Sequence, residues 1–143
     1  MKESYYLKYS IGKVVFATPI EEVREIARPK EIIEKTGLAK NLAGYFRLRK
    51  QRILLFDLPG FLKLNGHKEF EVIVSTIDGR PIGFKVNKVL GIVVSDELSP
   101  FPELVKPKKF LKGVIKDGKE FIQVLSFESL LSGSRLKTIK KYL

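Results

Sequence analysis

Short runs of β-branched and aromatic residues, separated by turn-forming residues, follow one another along most of the chain. Residues 4–11 (SYYLKYSI) and 13–18 (KVVFAT) predict two strands joined at Gly12. The same pattern recurs at residues 70–77 and 81–86, around an Asp-Gly dipeptide that tolerates the positive φ angles of a tight hairpin turn. The alternation therefore predicts a mainly β protein.

Two further hairpins extend this pattern, and each is followed by a predicted helical turn. Residues 44–57 contain an apolar pair, a basic turn and an apolar strand, and residues 110–125 fold around a second Asp-Gly dipeptide. Asp57 and Ser126 then precede short apolar runs, where their side chains can cap the first free N–H groups.

One longer helix is predicted after the first hairpin. Residues 18–21 (TPIE) place a hydroxyl at the N-cap, proline at the first position and a carboxylate at the third. Ile20, Val23 and Ala27 would then share one face of a helix that continues to Ala27. A second helical turn is predicted at residues 87–90.

The two halves of the chain repeat each other at nearly constant offsets, which predicts an internal duplication. An offset of 66 relates the following residues in order: Phe16, Ala17, Ile20, Val23 and Ile26 to Ile82, Gly83, Val86, Val89 and Ile92. An offset of 69 relates a second set in the same way: Leu42, Gly44, Leu55, Asp57 and Phe61 correspond in order to Leu111, Gly113, Val124, Ser126 and Leu130. We expect two similar small β-barrels packed together, since closure removes exposed strand edges.

Composition narrows the class of protein. The 143 residues include 27 Lys+Arg and 16 Asp+Glu, a formal charge of +11, and no cysteine, which excludes disulfides and thiol chemistry. The apolar runs are too short to span a bilayer, and the first residues show no export signal, so we expect a cytoplasmic protein without membrane insertion. The excess of Lys and Glu favours a heat-loving source.

The positive charge is concentrated in two segments. Residues 41–64 carry 5 cations and 1 anion, and residues 105–143 carry 10 and 3. The first includes Arg47, Arg49, Lys50 and Arg52, where strand alternation would place Arg47 and Arg49 on one face. This basic turn is either a partner-binding element or a solvated hairpin tip.

The second segment contains a lysine cluster and the chain's last residues. The cluster lacks the interleaved aromatic residues of a single-strand binding surface, so we interpret it as a solvated face; it comprises Lys106, Lys108, Lys109, Lys112, Lys116 and Lys119. Leu136, Ile139 and Leu143 follow at helical spacing. They predict a short basic helix that is frayed, docks on its own chain, or binds a partner or membrane surface.

Catalytic candidates are few. His67 is the single histidine and lies in a predicted polar loop, and the chain contains no nucleophile elbow, phosphate-binding loop or zinc-binding helix motif. We therefore predict no enzymatic activity, cofactor or metal. The alternative function from another class is a basic small barrel that binds nucleic acid, although the charge distribution makes nucleic acid an improbable partner.

The order of residues resembles the CheW family, the coupling proteins of bacterial chemosensory arrays, from about Ser4 to Leu131. The resemblance rests on YYLKYSIGKVVFATPIEEVREI, GYFRLRKQRILLFDL, EVIVSTIDGRPIGFKVNKVLGIV and GVIKDGKEFIQVL. It implies two packed five-stranded SH3-like barrels. We expect a domain over residues 1–131, with subdomains at about 13–69 and 70–131 that can exchange strands, and a basic tail at 132–143.

The resemblance also implies a non-enzymatic adaptor. Its partners would be the cytoplasmic tip of a chemoreceptor (a methyl-accepting chemotaxis protein), docked between the barrels, and the regulatory domain of the histidine kinase CheA, docked at a barrel end. In the family pattern Asn-Leu-Arg-Gly the functional arginine corresponds to Arg49. Val23, Glu25 and Gly44 correspond to other contributing positions.

This chain departs from the family pattern at the basic turn. It contains Arg47-Leu48-Arg49-Lys50 in place of Asn-Leu-Arg-Gly. A scaffold repurposed in another signalling system would show the same departure. We expect partner binding to use Arg47 as well as Arg49. Apolar anchors near the junction of the barrels would be Val23, Ile26, Val89 and Ile92. The alternative is that these apolar residues belong to the core.

Overall fold

The computed structural model describes residues 3–102 and 107–143, which form ten strands, three short helices and one 3-10 turn. The strands are β1 (Ser4–Ile11), β2 (Val14–Pro19), β3 (Glu25–Ala27), β4 (Leu42–Leu48), β5 (Gln51–Phe56), β6 (Glu71–Ile77), β7 (Arg80–Val86), β8 (Lys88–Ser95), β9 (Leu111–Asp117) and β10 (Glu120–Leu125). The helices are α1 (Leu58–Leu62), α2 (Phe127–Leu130) and α3 (Gly133–Lys140), and the 3-10 turn is Ile20–Glu22. None of the helices in these ranges is long and apolar enough to cross a membrane.

The strands form two five-stranded sheets with the same internal arrangement. The terminal sheet, in the order β8-β1-β2-β10-β9, uses both ends of the chain, and the central sheet, β3-β6-β7-β5-β4, uses its middle. In each sheet two antiparallel hairpins meet at a parallel contact, β2 with β10 and β5 with β7. The fold is mainly β, as predicted. β3 follows the β1–β2 hairpin along the chain but pairs in the central sheet, and β8 follows the β6–β7 hairpin but pairs in the terminal sheet.

The internal duplication is visible in the strand registers and the helix caps. Two cross-strand pairs are related by the predicted offset of 66, namely Ile26 with Ile73 and Ile92 with Leu7. At the offset of 69, Asp57 accepts a hydrogen bond from the N–H of Gly60, and Ser126 accepts one from the N–H of Ser129, both at 3.2 Å. The two halves are therefore alike in pairing and in capping.

Buried apolar residues form three clusters. The cluster inside the terminal sheet contains Tyr6, Ala17, Val93, Ile115, Ile122 and Val124, and the cluster inside the central sheet contains Ala27, Phe46, Ile53, Leu55, Val72 and Val74. A third and larger cluster, the shared core, includes residues from both sheets and from the helices. Phe84 of β7 and Phe127 of α2 stack there with ring centroids 4.0 Å apart, which joins the two sheets.

The helix predicted from Thr18 to Ala27 is wrong beyond its first turn. Only Ile20–Glu22 is helical, and Glu25–Ala27 is a strand paired with β6. Thr18 does not cap the turn, because its buried hydroxyl donates to the carbonyl of Leu125 at 2.8 Å. Pairing with a neighbouring strand outweighs the local helix signal here.

The helical turn predicted at residues 87–90 is likewise wrong. Lys88–Ser95 is one continuous strand that pairs antiparallel with β1. This segment is the equivalent of β3 in the second half, and it makes the same change of sheet.

The last residues of the chain dock on the protein itself. Ile139 of α3 is buried, and Leu136, Tyr142 and Leu143 pack against the shared core. The hydroxyl of Tyr45 donates to the carbonyl of Tyr142 at 3.0 Å. Of the alternatives left open by the sequence, self-docking is the one observed.

Candidate functional site

The basic turn lies at the end of the hairpin formed by β4 and β5. Arg49 and Lys50 are the two turn residues, with φ angles of 47° and 68°. Two consecutive positive φ angles match the twist of the flanking strands. Arg47 remains in β4, opposite Arg52 of β5. Arg49 has therefore left the strand, and the predicted sharing of one strand face by Arg47 and Arg49 does not occur.

Two of the predicted partner-binding residues form a forked ion pair. The Nη1 and Nη2 atoms of Arg49 donate to Oε1 and Oε2 of Glu25 at 2.9 and 2.5 Å. The hydrogen bonds from the guanidinium hold the pKa of Glu25 below its usual value, and the carboxylate raises the pKa of Arg49. Because both groups are solvated, the pair fixes their geometry more than it stabilises the fold. It connects the hairpin turn to β3.

The apolar candidates next to Glu25 lie at the margin of the shared core. Val23, at the end of the 3-10 turn, is half-buried against that core. Ile26 of β3 is partly exposed and pairs with Ile73, which belongs to the shared core. Since directly opposed residues share a face, Ile26 lies on the side where the two sheets meet.

The candidates on β8 occupy the equivalent margin of the terminal sheet. Ile92 is 61% exposed and pairs with Leu7, a member of the shared core. Val89 packs against the same core and donates its N–H to the Glu71 carboxylate at 2.8 Å. β3 and β8 are edge strands, so both sets of apolar residues border the junction of the sheets. Leu90 and Val94 are also exposed along β8, and sequence reasoning did not single them out.

Gly44 is a buried residue of β4. It has a φ of +129° and sits at an irregularity in the pairing of β4 with β5. A Cβ atom at this position would overlap the backbone carbonyl of Ile33, which bridges to Tyr45. The structure thus gives Gly44 a steric role in the strand.

The two basic clusters differ in setting. At the hairpin, the guanidinium of Arg52 lies 4.3 Å from the ring centroid of Tyr45, which leaves Arg47 and Lys50 as exposed cations beside it. The lysine cluster includes Lys112 and Lys116 on β9, an edge strand, and exposed lysines in the adjoining loops, and these positions suit a solvated edge. Lys106 of that cluster lies outside the described residues.

The single histidine and the acidic side chains were also compared for groupings that could carry chemistry. His67 is exposed in the loop between α1 and β6. Within residues 3–102 and 107–143, no three His, Cys, Asp or Glu side chains approach one another closely enough to hold a metal ion. The arrangement of apolar edge strands and charged side chains is suited to binding a protein surface.

Sequence reasoning missed one polar link across the junction, made by Glu22. Its carboxylate accepts from the hydroxyl of Ser126 at 2.8 Å and from the N–H of Glu128 at 3.0 Å, and its carbonyl accepts from Ser75 at 2.5 Å. Burial raises the pKa of Glu22, although the hydrogen bonds that its carboxylate accepts oppose the rise. The contacts span more than 50 residues of sequence, so local pattern carried no signal for them.

Comparisons with known proteins agree with this geometry. The family model described as the CheW-like domain matches residues 6–135. The crystal structure of the scaffolding protein TtCheW from Thermoanaerobacter tengcongensis matches with a TM-score of 0.82 at 18% sequence identity, covering 94% of this chain and 96% of that one. No curated protein matches this chain significantly.

Proposed function

Since the chain belongs to the family of CheW-like domains, we propose that it is a non-enzymatic cytoplasmic adaptor that couples chemoreceptor tips to the histidine kinase CheA. The observation that carries the proposal is the family match over residues 6–135, together with the Glu25–Arg49 fork. That fork joins two positions that the resemblance connects with partner binding.

On the receptor side, the proposed surface is the junction of the two sheets. Ile26 on β3 and Ile92 on β8 supply apolar contact area at its two margins, beside the shared core. The fork between Glu25 and Arg49 supplies directed polar contacts close to Ile26. Partly exposed apolar anchors with a few oriented charges are the usual composition of a protein interface. A helical receptor tip would bury these anchors.

On the kinase side, the proposed surface is an end of one sheet. The ends carry exposed hairpin turns and apolar side chains, including Phe121 at 72% exposure. The regulatory domain of the kinase, itself a CheW-like double barrel as the resemblance implies, would meet this end. A buried aromatic residue of this size would contribute strongly to such a contact.

The extra cations of the basic turn bear on which partner fits. Arg47 and Lys50 replace the asparagine and glycine of the family pattern and are both exposed. They favour a partner with an acidic surface, because complementary charge speeds encounter and excludes like-charged partners. A scaffold in a different signalling system remains the alternative within this class.

The test is a binding measurement with the purified chain, a soluble receptor-tip fragment and the regulatory domain of the cognate kinase. Arg49→Ala should weaken receptor binding by about tenfold or more, because the polar anchor is lost. The melting temperature should change little, since exposed ion pairs stabilise folds weakly.

Arg80→Ala is the matched control, because Arg80 is an exposed arginine at the start of β7 that donates to the carbonyl of Leu143 and makes no hydrogen bond with Glu25 or Arg49. It should bind as the unchanged protein does. Binding of the unchanged chain to neither partner would refute the adaptor function. A large loss of thermal stability in Arg49→Ala would instead make Arg49 structural.

A further inference from the structure

A small cleft lies between the last helix of the chain and the central half of the molecule. Its volume is about 160 Å³. One part of its lining is α3 together with Leu131, and the other part is the segment 39–41, Phe56 of β5 and Phe61 of α1. The cleft therefore lies where a helix that follows the terminal sheet meets segments attached to the central sheet.

The interior of the cleft is apolar and matches one aromatic ring in size. Phe56, Leu131 and Ile139 are buried members of the shared core, and all three also line the cleft. Phe61 adds a second ring, whose centroid lies 5.5 Å from that of Phe56. A cavity of about 150 Å³ lined by such side chains is large enough to bind benzene. An apolar group of the size of a phenyl ring therefore fits here.

The rim of the cleft is positively charged. Lys40 and Arg135 supply two exposed cations, and no carboxylate occurs among the described residues that line the cleft. Neither cation forms an ion pair with another residue that the structure describes. Asn41, Ser134 and Thr138 add an amide and two hydroxyls. The rim is therefore suited to a single negative charge.

The guanidinium of Arg135 is positioned by two aromatic rings. It lies 5.0 Å from the ring centroid of Phe61 and 6.0 Å from that of Phe110. Contacts of this kind attract a cation without neutralising it, so its N–H donors stay available. A guanidinium presents these donors in the geometry that a carboxylate accepts through two parallel hydrogen bonds.

The segment on the other side of the cleft is held by backbone hydrogen bonds. The carbonyl of Asn41 accepts from the N–H of Asp57 at 2.8 Å, just before α1 begins. The carbonyl of Ala39 accepts from the N–H of Leu42 at 3.2 Å. Because both sides are already in position, a ligand would bind without first ordering the chain around it, which lowers the cost of binding.

We propose that this cleft is a binding site for a small monocarboxylate that carries a ring-sized apolar group. The apolar group packs against Phe56 and Phe61, and the carboxylate accepts the forked hydrogen bonds of Arg135. An apolar interior with a few placed polar groups is the usual construction of a small-molecule site. Since α3 follows the terminal sheet and residues 39–41 precede β4, the bound acid would join the two halves of the molecule. This inference does not depend on the proposed receptor and kinase partners.

The test is a titration of the purified full chain with sodium benzoate, followed by the amide chemical shifts in nuclear magnetic resonance spectra. Saturable shifts are expected for residues 39–41, 61 and 134–139. The dissociation constant should be about 1 mM or below, an affinity within reach of a ligand with about nine non-hydrogen atoms. The absence of saturable shifts at concentrations well above that value would overturn the proposal.

Two matched ligands separate the roles of charge and ring. Benzamide keeps the ring without the charge, and acetate keeps the charge without the ring. Each should bind at least about tenfold more weakly than benzoate, because one of the two contacts is lost. Benzamide binding as tightly as benzoate would refute recognition of the carboxylate. Equal binding of acetate would refute the apolar contact and leave only general attraction to a chain of net charge +11.

Substitutions at Arg135 test the forked contact. Arg135→Gln should weaken benzoate binding by about tenfold or more, because charge-assisted hydrogen bonds are lost. Arg135→Lys should recover only part of this loss, since an ammonium group lacks the fork. Lys137→Gln is the matched control, because it removes an exposed cation of the same helix that does not line the cleft. A control that loses as much affinity as Arg135→Gln would refute the assignment.

A variant that fills the cleft tests its location without changing the charge of the chain. Ala39 lines the cleft and is half-buried, so Ala39→Leu should occupy part of the space and weaken benzoate binding. The same spectra report whether each variant is folded, and this variant decides the question if Arg135→Gln does not fold. Unaltered affinity in folded Ala39→Leu would show that benzoate binds elsewhere.

Discussion

Replacing Gly44 by alanine should destabilise the protein, even though the family resemblance assigns this glycine to partner binding. Gly44 has a φ of +129°, and its missing Cβ leaves room for the carbonyl of Ile33. That carbonyl accepts a hydrogen bond from Tyr45 at 2.9 Å, and Ile33 donates one back at 2.7 Å. The backbone around the carbonyl therefore cannot move away without losing this bridge.

The expected magnitude follows from two costs. A side chain in a sparsely populated backbone region costs about 1–3 kcal/mol. Overlap with fixed backbone in a packed region adds about 1–3 kcal/mol. Their sum, about 2–6 kcal/mol, is a large fraction of the about 5–15 kcal/mol that holds a typical domain folded. We expect Gly44→Ala to unfold at a much lower temperature, or to fail to accumulate in the folded form.

The assay is urea unfolding followed by circular dichroism. Gly113→Ala should behave alike, because Gly113 has a φ of +148° and approaches the carbonyl of Ser99 in the equivalent place. Gly79→Ala is the matched control: its φ is +76°, but a Cβ there would meet no atom within 4 Å, so the backbone cost alone applies. Equal stability of the Gly44 and Gly79 variants would refute the steric argument. A stable Gly44→Ala that loses receptor binding would make Gly44 a contact residue.

Two further predictions concern the basic turn and the junction. Lys50→Gly should increase the free energy of unfolding by up to about 1 kcal/mol, because glycine adopts the φ of 68° without strain. The urea midpoint should rise accordingly, and a lower midpoint would contradict this. The raised pKa of Glu22 means that the folded state holds its proton more tightly than the unfolded state. Its contribution to stability is therefore full below the ordinary carboxyl pKa of about 4.5 and decreases as pH rises through the higher pKa of the folded state. Glu22→Gln should remove this decrease in unfolding free energy, measured from about pH 4 to 7, and an unchanged pH profile would contradict the assignment.

Most strands were predictable because their signals are local. Asp-Gly dipeptides and alternating apolar residues indicated the hairpins at Asp78 and Asp117, and the capping residues Asp57 and Ser126 marked the starts of α1 and α2. The segment after Pro19 was not predictable in this way. Its capping residues favour a helix, whereas its strand state depends on pairing with β6, about 47 residues further along the chain.

The sequence pointed to individual candidate residues but not to how they are arranged. The resemblance pointed to Glu25 and Arg49 separately, and their fork forms only because β3 crosses to the central sheet, next to the β4–β5 turn. The link from Glu22 to Ser126 spans 104 residues and has no local signal.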